Sequence, residues 1–527
     1  MALSRRTFLK TALAGAGATA LGGAAHASEL VNLALPAPLG GAAPKFPNIQ
    51  HVVVVMMENR STDHYLGWWG DREDVRFDAS TSHPTRPTFD FGARGEQNWS
   101  GHPYIDPGHS HGTGRRQVLD SDGDGVPDGW SVTEDGSDRP GTSTDRYASS
   151  FYTDADLPVI ARLVEDFTSF DRYFTSWMGS TYPNRYYMHS AQAHGITNND
   201  FPPQRIGENP VWALGWDWPT LWDQLTAAGV TWSYYFSNLP VIALWGPRYL
   251  ANARPITDYY ADCAAGTLPQ VTFVDPFFVA PEGVSNDDHP HADIRLGQEF
   301  YSDVVTAFLG SPSWHKGAMF INYDEWGGFW DHVTPPAVGT ANDPLATYGP
   351  SVDYRQEGAW TTDPTPDFGL HGFRTPAFLL SPYARNTGAN PAPSAGGPGK
   401  GRGRGGKAPE PTRDRTVSDA LDHTSILAFI AENWGLPQTS AWQPGFSRTS
   451  LGTMRTAFDP SIADPDDPGD PEVDVAAYAY TAPLEARTAA LPIPESSVSA
   501  LWSQADWIES MGYVVNTRFA DALPYTR

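Results

Sequence analysis

Seven consecutive residues, His51-Val-Val-Val-Val-Met-Met57, constrain this chain more than any other stretch. Four β-branched residues in a row favour an extended backbone, and no polar position alternates with them, so a strand here has two apolar faces. Such a strand needs cover on both sides, which is the situation of a central strand in a parallel sheet. Similar short runs recur at Thr231–Phe236, Val271–Val274, Ala318–Tyr323 and Pro376–Leu380. Helical patterns lie among them at Leu157–Asp166, Pro219–Ala228, Ile294–Leu309 and Ser425–Trp434. Strands alternating with helices predict an α/β fold with a central, mostly parallel sheet flanked by helices. At 527 residues the chain suffices for one large or two ordinary domains.

The N-terminus carries an address. Ser4-Arg5-Arg6-Thr7-Phe8-Leu9-Lys10 has the form of a twin-arginine signal, an Ala/Gly-rich apolar run follows, and Ala25-His26-Ala27 is an A-x-A cleavage site. Residues 1–27 are therefore expected to be removed on export by the twin-arginine machinery, leaving a secreted or cell-surface protein. Loss of Arg5, Arg6 and Lys10 takes the formal charge from −26 to −29. A field of that sign repels nucleic acid and excludes it as a partner. The lone cysteine, Cys263, allows no intramolecular disulfide. No later run is long and apolar enough to span a bilayer. Residues 28–47 have the composition of a linker, and 48–458 form the expected main domain. Two stretches interrupt it: a polar Gly/Asp-rich one at 72–150, and 387–415 with its Gly-Lys-Gly-Arg-Gly-Arg-Gly-Gly run. Residues 459–527 form an acidic, Pro-rich extension expected to pack on the same domain and to end in a helical stretch around Ser497–Met511.

Three polar motifs stand where open α/β sheets place ligands, after apolar runs or in turns between elements. Glu58-Asn59-Arg60-Ser61-Thr62-Asp63-His64 follows the first strand, and a carboxylate and amide there suit a cation or a phosphoryl oxygen. The same residue types also suit a capped turn. Gly179-Ser180-Thr181-Tyr182-Pro183-Asn184-Arg185 offers a hydroxyl nucleophile in Thr181, with Asn184 and Arg185 as phosphate contacts; it equally suits an ordinary turn. Asp324-Glu325-Trp326-Gly327-Gly328-Phe329-Trp330-Asp331-His332 opens with adjacent carboxylates whose repulsion a cation would relieve. His109, His289 and His423 are candidate acids and bases. Asp120, Asp122, Asp124 and Asp128 alternate around a glycine as in short calcium loops, although no glutamate closes an EF-hand. A plain Asp/Gly turn is the other reading. Trp177, Tyr182, Trp212, Trp216, Trp218, Trp326 and Trp330 are either core or a cage for a quaternary ammonium headgroup.

Taken in order, the three motifs resemble those of the bacterial phospholipase C/acid phosphatase family. Phe151-Tyr-Thr-x-x-Asp156-Leu-Pro158, His289-Pro290, Ser381-Pro-Tyr-Ala-Arg385 and Asp422-His-Thr-Ser425 extend the likeness over roughly residues 45–440. The resemblance implies an alkaline-phosphatase-like fold with long loop insertions. It implies one divalent or hard cation, calcium favoured, held by Glu58, Asn59, Thr181, Asp324 and Glu325. Thr181 stands at the family's nucleophile, and His109 and His289 fall where family histidines line the phosphoryl pocket. The implied activity is phospholipase C hydrolysis of the glycerol-side phosphodiester of a phosphatidylcholine-like lipid through a phosphothreonine, with transient contact at a membrane surface. The alternatives are an acid phosphatase using the same site and, from the Asp-rich loop, a non-catalytic calcium-binding protein. Trp326 stands where the family often has histidine, and Ser180 where it has proline.

Overall fold

The computed structural model describes residues 42–82, 89–90, 99–101, 104–119, 126–127, 130, 146–199, 202, 215–278, 284–336, 370–385, 415–442, 451–483, 485–486, 508–509 and 511–513. The expected leader at 1–27, Asp120, Asp122, Asp124 and Asp128 of the acidic loop, the Gly/Arg-rich run and most of the Ser497–Met511 stretch lie outside them.

Eight strands make the main sheet: β1 (His51–Met57), β2 (Thr168–Phe170), β3 (Trp232–Phe236), β4 (Ala253–Pro255), β5 (Val271–Asp275), β6 (Gly317–Tyr323), β7 (Phe378–Leu380) and β8 (Thr416–Val417). Their spatial order is β8-β2-β7-β6-β1-β5-β3-β4. Every pairing is parallel except those of β7, which runs antiparallel to both β2 and β6. The His51–Met57 run is central, as its two apolar faces require. Its side chains divide by parity. Val52, Val54 and Met56 enter one core, and Val53, Val55 and Met57 the other. The period-2 geometry of a strand makes this division unavoidable once helices cover both faces.

The helices follow in chain order: α1 (Thr62–Gly70), α2 (His111–Gln117), α3 (Pro158–Asp166), α4 (Thr181–Ser190), α5 (Leu221–Ala227), α6 (Ile256–Ala265), α7 (Ile294–Leu309) and α8 (His423–Trp434). Residues of α4, α5 and α8 pack in the first core, and residues of α1, α3, α6 and α7 in the second. Ser61 caps α1 by accepting the amide of His64. Residues 461–471 join the same body: the Asn48 amide donates to the carbonyls of Ser461 and Asp464 at 2.9 and 2.6 Å, and Trp314 Nε1 donates to that of Pro471 at 2.8 Å.

Register positions the site. Met57 of β1 pairs with Tyr323 of β6, so the next residues, Glu58 and Asp324, leave the sheet side by side. On the other flank of β1, Val55 pairs with Val274, and β5 ends one residue later at Asp275. Three carboxylates thus issue from the C-terminal ends of three adjacent parallel strands.

Candidate active site

Past its last β1 pairing the chain turns at Asn59, whose φ is +60°, and its amide donates to Asp324 Oδ1 at 3.2 Å. The second acidic motif is folded tightly against it. Gly327 and Gly328 have φ of +67° and +70°, and a Cβ on Gly327 would lie 2.3 Å from the Asn59 carbonyl oxygen. Only glycine permits both that backbone and that approach. Glu325 is fixed by the Gly327 amide, which donates to its Oε2 at 2.7 Å.

Thr181 is the first residue of α4, where the sequence reads only a turn, and it keeps 8% of its surface exposed. Its hydroxyl donates to Glu58 Oε2 at 3.3 Å. Gly179 is demanded by packing: a Cβ there would meet the Trp177 ring at 2.1 Å. The loop before α4 is fastened by Asn184, whose Oδ1 accepts from the Trp177 amide and whose Nδ2 donates to the carbonyls of Trp177, Gly179 and Ser180.

Arg185 lies one turn further along α4, fully buried. Nε and Nη2 donate to Glu58 Oε1 at 3.0 and 2.6 Å, Nη1 donates to Asp275 Oδ1 at 3.2 Å, and Nε lies 3.6 Å from Asp324 Oδ2. Asp275 also accepts from the Tyr234 hydroxyl. This corrects the sequence reading of Asn184 and Arg185 as phosphate contacts. The amide is engaged by backbone and the guanidinium by carboxylates, so Asn184 shapes the loop and Arg185 neutralises the acidic cluster from below.

The cluster remains under-neutralised. Burial, reinforced by Glu58 and then Glu325, pushes the Asp324 carboxyl well above the usual range, against the pull of Arg185. Burial likewise raises Glu325 well above it, opposed by the Gly327 amide and reinforced by Glu58 and Asp106. Burial raises Asp275 to about 6. Both polar side-chain atoms of Asn59, Oδ2 of Asp324 and Oε1 of Glu325 are buried without a hydrogen-bond partner. Orphaned oxygens among converging carboxylates are what a cation ligand set looks like without its ion. Glu58, Asn59, Asp324, Glu325 and the Thr181 hydroxyl therefore fit the metal that the resemblance implies, and oxygen donors suit a hard cation.

His109 Nε2 lies 3.9 Å from Glu325 Oε1, and the rings of His109 and His289 are 5.8 Å apart. His423 sits beneath the site: its Nε2 donates to the Asp324 carbonyl at 2.7 Å, and its Nδ1 accepts from the Tyr173 hydroxyl at 2.9 Å. Burial lowers it to about 4, so it stays neutral and positions the Asp324 loop. Asp63, Asp331 and His332, members of the same two motifs, are drawn into a separate ion network. Arg374 pairs with Asp63 and Asp331 at 3.1 and 2.9 Å, and His332 bridges Asp63 and Asp78. A guanidinium already stands where a cation would be needed. Trp177, Trp216 and Trp218 belong to the first core, and Trp326 and Trp330 to a small separate one, so they build no exposed cage. Trp326, in the family's histidine position, donates to Gln117 Oε1 at 3.0 Å. Tyr182 is partly buried and Trp212 lies outside the described residues. Asp275 and Asp106 escaped the sequence reading. Asp275 had a usable signal, as the carboxylate that ends an apolar strand.

A hydroxyl at a helix start beside carboxylates from neighbouring strand ends, with histidines above them, suits hydrolysis of phosphate esters. The Phosphoesterase family model matches residues 49–437, and the chain belongs to that family. Among its relatives, the non-specific phospholipase C6 of Arabidopsis thaliana is 29% identical over 429 residues, covering 77% of this chain and 74% of that one. Phospholipase C B of Mycobacterium tuberculosis is 28% identical over 478 residues, covering 82% of each. The non-hemolytic phospholipase C of Pseudomonas aeruginosa is 28% identical over 561 aligned residues, covering 99% of this chain and 71% of that one.

Proposed function

We propose that the protein is an exported phospholipase C that cleaves the glycerol-side phosphodiester of a phosphatidylcholine-like lipid through a phosphothreonine. The observation that carries this reading is the Thr181 hydroxyl, all but buried at the start of α4 and 3.3 Å from Glu58 Oε2. The names of the plant, mycobacterial and pseudomonad relatives support the choice of substrate. The twin-arginine leader supports export.

Thr181 Oγ1 attacks phosphorus as its proton passes to Glu58 Oε2, and the bond from phosphorus to the glycerol oxygen breaks. The positive end of α4 favours anionic oxygens at its N-terminus. An alkoxide leaves poorly without a proton, and His109 or His289, protonated at Nε2, supplies it. The same histidine then takes a proton from water, which attacks phosphorus, and the bond to Thr181 Oγ1 breaks as Glu58 returns its proton to that oxygen. Glu58, Asn59, Asp324 and Glu325 would hold a cation, which when bound would supply Lewis-acid stabilisation of the phosphoryl oxygens. Arg185 fixes Glu58, and His423 fixes the Asp324 backbone.

The test uses Thr181→Ala and Asp324→Asn, with folding checked by circular dichroism, on p-nitrophenyl phosphorylcholine and p-nitrophenyl phosphate. Loss of at least about 10³-fold in kcat on the diester is expected for Thr181→Ala. Near wild-type turnover by a folded variant sinks the mechanism. Turnover of the monoester alone replaces the phospholipase with an acid phosphatase.

A further inference from the structure

Asp106, His109 and His289 lie on the solvent side of the acidic cluster. One nitrogen of each histidine and a carboxylate oxygen of Asp106 all stand within 4.8 Å of one another, and all three residues are partly exposed. Both imidazoles are oriented from behind. Nδ1 of His109 donates to the Pro107 carbonyl at 2.8 Å, and Nδ1 of His289 donates to that of Pro290. A carbonyl only accepts, so each neutral ring carries its proton on Nδ1 and presents an Nε2 lone pair. A backbone carbonyl behind the imidazole is the arrangement that orients metal-ligating histidines. Two atoms nearby are buried without a partner: Oδ1 of Asp106 and Oε1 of Glu325, the latter on a side chain with no exposure and 3.9 Å from His109 Nε2.

The geometry points to a second cation site, built by Asp106 and the Nε2 atoms of His109 and His289, that takes a zinc-class ion. Mixed nitrogen and oxygen donors suit zinc or cobalt, whereas the deeper set is all oxygen and suits calcium. Three protein ligands leave a position for water, with Glu325 Oε1 beside it. Tetrahedral ligation at about 2.0–2.1 Å requires the three donors to draw closer, which rotation of partly exposed side chains provides. A cation on the two Nε2 atoms leaves neither of them free to carry the proton that the leaving alkoxide needs. Resting on the proposed role of these histidines, zinc is therefore an inhibitor of this enzyme, not its activator.

The experiment loads the full enzyme with excess calcium to hold the oxygen site, then titrates cobalt(II) and reads its visible spectrum. One equivalent of the intense bands of four-coordinate cobalt is expected, displaced by zinc. Asp106→Asn and His289→Gln are expected to weaken cobalt binding by at least ~10-fold each. Thr181→Ala, inert in hydrolysis, keeps the bands, so the spectrum reports on this site whether or not the hydrolytic reading holds. Absence of the bands in wild type overturns the site. So does their full retention in the Asp106→Asn/His289→Gln double variant. Phosphodiester turnover by the calcium enzyme that persists in saturating zinc overturns the inhibitory role.

Discussion

Arg185 is the cation the fold supplies to its own acidic cluster, and replacing it by methionine tests the architecture of the site directly. The guanidinium is 1% exposed and contacts Glu58 at 2.6 Å, Asp275 at 3.2 Å and Asp324 at 3.6 Å. Methionine fills the volume and leaves those carboxylates buried without their counter-charge. Removing one partner from a buried ion pair costs about 3–5 kcal/mol. A divalent cation added from outside replaces part of the lost charge. Saturation to ~100 times Kd stabilises wild type by about 2.7 kcal/mol and is expected to stabilise the variant more. Urea unfolding at neutral to alkaline pH, followed by Trp fluorescence in chelator and in excess calcium, reads both numbers. Arg185→Met should lose about 3–5 kcal/mol in chelator and clearly less in calcium. Arg185→Lys keeps the charge but cannot grip Glu58 and Asp275 together, and should fall between, at roughly 1.5–3 kcal/mol. A loss below ~1 kcal/mol in chelator, or an equal loss with and without calcium, refutes the view that one cluster is shared by the guanidinium and a metal.

Two further outcomes follow from the same cluster and its neighbour. Asp324 and Glu325 have raised pKa values and must shed protons to hold a cation, so calcium affinity should rise with pH, with net proton release in calorimetry across buffers of different ionisation enthalpy; binding without proton release sinks this account. His332 is raised to about 10, with Asp63 and then Asp78 outweighing burial, so its contribution is complete below its unfolded value near 6.5 and is lost as pH rises through about 10. The stability gap between wild type and His332→Gln should therefore be wide at about pH 6 and narrow above about pH 10, and an unchanging gap removes the ion network as its cause.

The sheet was legible because its signal is a period. Val52–Val55 carries two apolar faces in four letters, and the runs at 231, 271 and 318 repeat the pattern. Helices α3, α5, α7 and α8 were legible within two residues at their boundaries for the same reason. Helix α4 was not. Its sequence, Thr-Tyr-Pro-Asn-Arg-Tyr-Tyr-Met-His-Ser, lacks an apolar stripe because it is packed on nearly every side, and nine of its ten residues are buried. Burial that complete erases amphipathicity, and the Gly179 and Pro183 flags then suggest a turn. Whether Asn184 and Arg185 hold phosphate or shape the turn was not legible for a related reason. A residue type that binds phosphate in an open cleft binds carboxylates or backbone when the fold closes over it, and sequence carries no record of which way a side chain faces.

That orientation also explains why the cluster tolerates so much acid. Glu58, Asp275, Asp324 and Glu325 bring four potential negative charges to one buried place, and Arg185 answers one of them. Burial raises the carboxyls of Asp275, Asp324 and Glu325 above their ordinary range, the cost of gathering that much acid in one place without a matching charge. Were Arg185 turned outward to a phosphate, the cluster would carry a further uncompensated charge, and an anionic substrate would meet repulsion from the same groups meant to activate it. Keeping the guanidinium beneath and leaving the upper face to a divalent ion puts the positive field on the side from which Thr181 and the phosphate meet. In the proposed mechanism the electrophilic work therefore falls to a cation that can be removed and replaced, which is why metal exchange, more than any single side-chain substitution, discriminates among accounts of this site.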